Sequence, residues 1–440
     1  PVVLSMVISL VYNMVDTYFV AQTQNTNLVA GVSLCAPIFT LMIALGDIFG
    51  IGGSSVISRL FGQKQDKEGK NVSGFCFYSA IICGILISIL MLIAKDPILT
   101  LLGTNKATLP YASQYYTYMA LGATLIIVSL TPSNLMRTEG LATESMLGTI
   151  IGSIVNIILD PIFINIIGFH GAAIATLISQ IICLAFMCIY IYRKKLFNLS
   201  LSDFDTKEIM PFVKNAVPSV IQQSIPAIST TFLTAIVSTY SISAIAGYGV
   251  AGKLEMILFY PAMALNMVLT SIVGQCIGAQ RIDRAKNYLK LALKYGIVVS
   301  SVLSAVVIFF SKQLAKLFVS NVAVTNVVSH YFLIVSIGYV LYTITSCYLG
   351  TLNGIGKPTK SMILMIFYYI IIRIPFAYLL SWLAENLNGV WIAILISHIV
   401  ACIITILTSN QIIKRLYGKL YDRTKKARYK SIESNCCGKF

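Results

Sequence analysis

Gly171-Ala-Ala-Ile-Ala-Thr-Leu-Ile-Ser179 returns further along the chain as Gly389-Val-Trp-Ile-Ala-Ile-Leu-Ile-Ser397, identical at six of nine positions. The echo is not isolated. At an offset of 216 residues, Phe61-Gly62 through Gly69-Lys70-Asn71 meets Ile277-Gly278 through Ala285-Lys286-Asn287, and Ala30-Gly31 meets Ala246-Gly247. Halves that repeat in this way mark a duplication, and duplicated apolar halves are a signature of membrane transporters.

Composition agrees. The chain has 440 residues, of which 57% are hydrophobic and only 11% charged, with a mean hydropathy of +0.83. Soluble domains run at about 25% charged and roughly 45–50% apolar, so most of this surface faces lipid. Apolar segments lie near 1–22, 28–61, 71–94, 110–134, 145–168, 171–192, 211–240, 244–277, 287–311, 325–350, 361–383 and 389–413. A helical span needs roughly 20 apolar residues, which predicts twelve transmembrane helices. Segments 28–61 and 244–277 exceed a straight span and carry Gly46, Gly50, Gly52, Gly53 and Pro261, so they read as tilted or bent. A soluble enzyme, a DNA-binding module and a secreted disulfide scaffold are excluded.

The net charge of +16 is distributed by topology rather than gathered into a nucleic-acid face. The gaps after segments 2, 4, 6, 8 and 10 and the segment ends that border them, with the C-terminal tail, hold 26 of the 32 basic residues, whereas the opposite gaps hold Lys95, Lys106, Lys312 and Lys316. The positive-inside rule then places both termini in the cytoplasm of a multi-pass protein of the cell (inner or plasma) membrane. Six spans separate equivalent segments, so the halves share one orientation. The fold class is an all-α integral membrane protein of two pseudo-symmetric six-helix bundles, 1–192 and 211–413, with a cytoplasmic linker at 193–210 and a basic cytoplasmic tail at 414–440. The chain opens at Pro1 inside an apolar run, with no initiator Met and no visible signal peptide, so residues are expected to precede it. Eight of the ten cysteines lie in apolar stretches as small hydrophobes, and Cys436 and Cys437 in the tail are expected to be unpaired thiols.

Four acidic residues fall at membrane depth: Asp16, Asp47, Asp160 and Glu255. A carboxylate at a helix centre costs about 2.5–3.5 kcal/mol on insertion scales, so such groups face cavities and serve ion or proton paths. Tyr12 and Asn13 precede Asp16 by four and three residues and share its helix face. Asn156 and Asp160 share a face in the same way, and Pro161 removes the backbone donor that would serve the carbonyl of Ile157. A carboxylate, an amide and a freed carbonyl together can hold a proton, Na⁺ or an organic cation. Asp47 precedes the small-residue run Gly50-Ile-Gly-Gly-Ser-Ser55 and is expected near a cavity or an interface between helices. Glu255 is expected to find its partner on another helix, with Arg373, beside Pro375, either pairing with it or snorkelling to the interface. His170, His330 and His398 are scattered, and neither a zinc-protease motif nor a P-loop appears. An enzyme is not expected. No cofactor is expected beyond a coupling ion.

These residues carry a resemblance. Tyr12-Asn-Met-Val-Asp16, Gly50-Ile-Gly-Gly-Ser-Ser-Val-Ile-Ser-Arg-Leu-Phe-Gly62, Arg137-Thr-Glu-Gly140 and the Asn156 to Pro161 stretch, in this order across all 440 residues, resemble the multidrug and toxic compound extrusion (MATE) transporters of the DinF/MepA-like branch. The resemblance implies a V-shaped pair of bundles, monomeric in the lipid bilayer, that alternates access and exports small cationic amphiphiles in exchange for H⁺ or Na⁺. It places coupling on Asp16, Asn156 and Asp160, with Thr176 as the matching threonine of helix 6, and leaves Glu255 as a possible C-lobe cation site. A lipid-linked oligosaccharide flippase of the same superfamily is the alternative, although it requires a cationic cavity.

Overall fold

Long apolar segments leave the backbone one way to satisfy itself inside a bilayer, which is to coil. The structure, a computed structural model, describes residues 2–9, 11–12, 34–102, 104, 106, 109–168, 170–198, 209–316, 318 and 321–437. Residues 2–9 and 11–12 are helical and form the described part of α1. There follow α2 (Ala36–Gly62), α3 (Asp66–Ile93), α4 (Leu109–Thr138), α5 (Ala142–Ile167), α6 (His170–Lys194), α7 (Ile209–Ser238), α8 (Ile242–Gly278), α9 (Ile282–Lys316) and α10 (Val322–Gly354). The chain ends in α11 (Pro358–Ala384) and α12 (Leu387–Cys437). Among the described residues, eleven helices, α2 to α12, are long and apolar enough to cross a membrane.

Three features were not legible beforehand. A short helix, Lys95–Leu101, lies between α3 and α4. Helix α12 continues through the basic tail to Cys437, because the tail is rich in Lys, Arg and other good helix formers and holds no proline. Helix α11 contains a π-helical stretch over Phe367–Arg373.

The duplication is visible in the backbone. After α2, Lys64 takes φ 62°, and after α8, Gln280 takes φ 57°, 216 positions later. Each turn closes with the same bonds, Gln65 N–H to Leu60 C=O at 3.0 Å and Arg281 N–H to Cys276 C=O at 2.8 Å. Gly140 (φ 87°) and Gly356 (φ 81°) repeat the device between α4 and α5 and between α10 and α11, a left-handed cap that glycine adopts without steric cost. Ser145 Oγ donates to the carbonyl of Ser133 at 2.9 Å, and its counterpart Ser361 Oγ to that of Leu349 at 3.0 Å. By Gly171 and Gly389 the offset has grown to 218. The lengthening falls across the stretch that holds the π-turn, which inserts residues without breaking the helix.

Each half packs its own core. Val72, Cys76 and Ala80 of α3 meet Val128 and Leu135 of α4 and Cys183 and Met187 of α6. In the second half Leu254 and Leu258 of α8 meet Phe332 and Val335 of α10 and Trp391 and Ile394 of α12. The outward flanks stay apolar, as lipid contact requires: Ile93 is 78% exposed and Phe309 79%.

Candidate functional site

The halves meet where α2 crosses α8. A Cβ built on Gly62 would lie 2.2 Å from the Gln275 carbonyl oxygen, one on Gly278 2.2 Å from the Arg59 carbonyl oxygen, and one on Gly274 2.0 Å from Ser58 Oγ. Under the 216-residue offset the first two contacts exchange with each other and the third maps onto itself, so a pseudo-twofold axis passes through the crossing. Ser55 Oγ donates across the seam to the Asn353 carbonyl at 2.7 Å, and Gln275 Nε2 to the Thr138 carbonyl at 2.7 Å. All of these residues belong to the helix ends that adjoin the basic gaps. The described contacts between the halves close that end.

Deeper in the seam lies Asp47, 6% exposed. Its Oδ1 accepts from Asn134 Nδ2 of α4 and its Oδ2 from Gln223 Nε2 of α7, each at 3.3 Å, and Arg137 Nη1 donates to Asn134 Oδ1 at 3.4 Å. The small-residue run next to it acts as the sequence suggested: Gly50 faces Asn134 and Gly52 faces Ala216, with room for no side chain at either. Asp47 is an interface residue, hydrogen-bonded across the halves to the neutral amide of Gln223.

Inside the first half, α5 and α6 bring together three of the anticipated residues. Asn156 Nδ2 donates to Asp160 Oδ1 at 3.3 Å and to Thr176 Oγ1 at 3.4 Å. Asn156 is 1% exposed and Asp160 0%. Thr176 Oγ1 donates to the Ala172 carbonyl, which leaves its lone pairs for Asn156. Asn156 Oδ1 is buried and has no donor among the described residues, so an acceptor stands ready beside a carboxylate. Tyr12 is helical and partly buried, whereas Asn13 and Asp16 lie outside the described residues.

The second half holds a polar network that sequence reasoning largely missed. Glu255 Oε1 accepts from the hydroxyls of Tyr331, at 3.0 Å, and Tyr339 of α10. The anticipated pairing with Arg373 is absent: among the described residues Glu255 forms no ion pair, and Arg373, 5% exposed, does not snorkel. The guanidinium turns inward instead. Its Nε donates to Ser397 Oγ at 2.9 Å, and its Nη2 to the Tyr368 hydroxyl at 2.9 Å and to His398 Nε2 at 3.3 Å. It also lies 4.5 Å from the Tyr369 ring centroid, within cation–π range. A guanidinium only donates, so His398 Nε2 is the acceptor and Nδ1 carries the proton toward Tyr368. The π-turn, which ends at Arg373, sits where α11 offers this charge to the core. Two sequence signals pointed here. Tyr331 and Tyr339 fall eight residues apart on one helix face, and His398 directly follows the repeated Ile-Ser pair.

Duplicated helical halves that close on each other at one end, with ionisable groups shielded from lipid inside each half, make a membrane transporter rather than an enzyme. Comparison with known proteins gives the family. The MatE family model matches the chain twice, over residues 1–162 and 218–379, and the chain belongs to that family. The multidrug export protein MepA of Staphylococcus saprophyticus is 28% identical over 398 residues, covering 89% of this chain and 87% of that protein. An FAD transporter of Shewanella oneidensis is 26% identical, covering 89% of each. A solved structure of a multidrug resistance MATE family transporter in its outward-facing conformation superposes with a TM-score of 0.90 at 28% identity, over 94% of each chain.

Proposed function

We propose that this chain is a monomeric antiporter that exports cationic amphiphiles in exchange for protons, coupled in the first half through Asp160, Asn156 and Thr176 together with Asp16. The observation that carries the reading is the enclosure of Asn156 between Asp160 and Thr176 beside Pro161. A cation and a proton compete for the same carboxylate, because protonation removes the charge that attracts the cargo and turns an acceptor into a donor. Asn156 Oδ1, next to that carboxylate, is the acceptor such a donor would find. With the basic gaps in the cytoplasm, the closed end is the cytoplasmic one, and protons taken from outside release cargo outward.

Coupling by Na⁺ at Glu255 is the rival. Both tyrosine hydroxyls already donate to its Oε1, and Arg373 supplies a permanent positive charge in the same core. With Oε1 already engaged by two hydroxyls and a fixed positive charge nearby, the site is less suited to a metal cation, which favours the first half. The test is uptake into inverted vesicles under separately imposed pH and Na⁺ gradients, with an ethidium-like cation and FAD as parallel cargoes, since the relatives' names divide between drugs and FAD. Asp160→Asn should abolish cation movement driven by the pH gradient in protein that still folds. Full transport by Asp160→Asn, or Na⁺-driven transport lost only in Glu255→Gln, moves the site to the second half, and FAD carried with cations ignored replaces the cargo class.

A further inference from the structure

The pseudo-twofold axis is broken on the closed end around Arg59 and Gln275. On one side the Arg59 guanidinium lies over Gly356, where a built Cβ would meet its Nη1 at 3.0 Å, and Ile355 fills the adjoining space, 6% exposed. On the other side the equivalent positions, 216 residues away, are Gln275, Gly140 and Glu139. Gln275 is shorter and turns to the Thr138 carbonyl, nothing lies within 4 Å of a Cβ built on Gly140, and a carboxylate replaces the isoleucine. The result is a cleft of about 640 Å³ that both halves line: Lys64, Asp66 and Lys70 from the first, Arg281, Arg284 and Tyr288 from the second, with Glu139 between them.

The charges of this cleft ask for a particular kind of occupant. Four cations face two carboxylates. None of the four forms an ion pair among the described residues, and closing this end leaves the cleft with an excess of two positive charges. A phosphate answers that excess. Glu139 makes the opposite demand, since its Oε1 is buried and has no donor among the described residues, which a compact N–H donor would satisfy. The cleft also adjoins an exposed, largely apolar stripe. Arg284 and Tyr288 lie one turn apart on α9, and Tyr288 begins a stripe of Leu291, Tyr295, Val298 and Val302 that is 41–62% exposed. A basic pocket at a helix bundle's charged end, continuous with such a stripe, has the form of a headgroup site.

We propose that this cleft holds a phospholipid headgroup with a primary ammonium, its phosphate against Lys70, Arg281 and Arg284, its ammonium on Glu139, and an acyl chain along the α9 stripe. The site is complete only while both halves contribute to it, so the lipid binds the closed end selectively and shifts the transporter toward it. This assignment is independent of which ion couples transport.

Native mass spectrometry of the purified full chain tests it, with phosphatidylethanolamine, phosphatidylcholine and phosphatidylglycerol of identical acyl chains. The native chain should retain the ethanolamine lipid about tenfold over the choline lipid, which offers no N–H donor. Glu139→Gln should lose that preference while keeping the choline adduct, and Arg281→Gln/Arg284→Gln should lose all three adducts. If the double variant fails to purify, Arg284→Gln alone, at an exposed position, should weaken all three. Equal retention of the ethanolamine and choline lipids, a preference for the glycerol lipid, or a preference unchanged in Glu139→Gln overturns the proposal. Displacement of the lipid by an equal concentration of O-phosphoethanolamine overturns the lipid assignment in favour of a soluble phospho-amine.

Discussion

Gly62→Ala should pry the closed end apart. The added methyl would sit 2.2 Å from the Gln275 carbonyl oxygen and 2.9 Å from its Cα. Carbon and oxygen settle at about 3.3 Å or more, so the two backbones must part by about 1 Å. Neither partner is a flexible side chain, and the strain cannot be relieved by a rotamer change. Overpacking of this kind costs about 1–3 kcal/mol, and loss of the Gln275–Thr138 hydrogen bond adds roughly 1 kcal/mol. Both terms fall only on the state in which the halves touch. A bias of about 2–4 kcal/mol changes the open-to-closed ratio about 30- to 1,000-fold. Double electron–electron resonance between nitroxides at exposed Lys67 and Lys290, in a cysteine-free background, should show a new long-distance population. Gly249→Ala in α8, where nothing lies within 4 Å of the new Cβ, is the control and should leave the distances unchanged. An unchanged distribution in Gly62→Ala would refute the reasoning that this crossing sets the closed state.

Thr176→Val removes one of the two acceptors of Asn156 Nδ2. It should weaken cargo binding by about fivefold, the worth of one net hydrogen bond, read as a rise in the half-saturating cargo concentration. Arg373→Met withdraws the donors that serve Tyr368, His398 and Ser397 and, at about 1–2 kcal/mol for each of these buried hydrogen bonds, should destabilise the chain by about 3–5 kcal/mol in thermal unfolding, whereas Lys253→Met, at an exposed position, should change it by less than about 0.5 kcal/mol. Burial pushes the Glu139 carboxyl up to about 7 from 4.5, against the pull of the Lys70 charge. The folded state therefore binds this proton more readily than the unfolded state, and stability should fall as pH rises from about 4.5 to about 7. The loss, discounted for partial exposure, is on the order of 1–2 kcal/mol, and a flat profile in Glu139→Gln over that window would confirm its source.

How far the chain could be read in advance depended on what each feature is made of. Span number and class followed from apolar length, because lipid admits few backbone solutions. The Asn156–Asp160 contact was legible because it is an i, i+4 pair on one helix, and Thr176 entered only through the family resemblance, since it reaches Asn156 from α6. The network around Arg373 was not legible. Its members, on α8, α10, α11 and α12, are up to 143 residues apart in sequence, from Glu255 to His398. Arg373 looked like a partner for Glu255 because both are charged and both lie at membrane depth. Glu255 instead takes Tyr331 and Tyr339 as partners and Arg373 takes Ser397, Tyr368 and His398, and the π-turn that ends at Arg373 is an irregularity that hydropathy does not register. The cleft at Glu139 was equally hidden, since a cavity arises from what neighbouring side chains fail to fill.

The two halves agree and differ for separate physical reasons. They agree at Lys64 and Gln280, at Gly140 and Gly356 and at Ser145 and Ser361, where backbone geometry leaves a turn few alternatives. They also agree at Gly62 and Gly278, because the axis forces two backbones within reach of each other. Away from those constraints the same positions are free to carry different chemistry, and they do. Glu139 stands opposite Ile355 and Gln275 opposite Arg59, while the enclosed pair of the first half, Asn156 and Asp160, has its counterpart in a network of tyrosines, glutamate, histidine and arginine in the second. Two identical halves would offer a proton and a cargo equivalent sites on both sides of the axis. A duplication whose turns are held fixed and whose interiors diverge can carry an enclosed amide–carboxylate pair in one half and a hydrogen-bonded tyrosine, histidine and arginine network in the other.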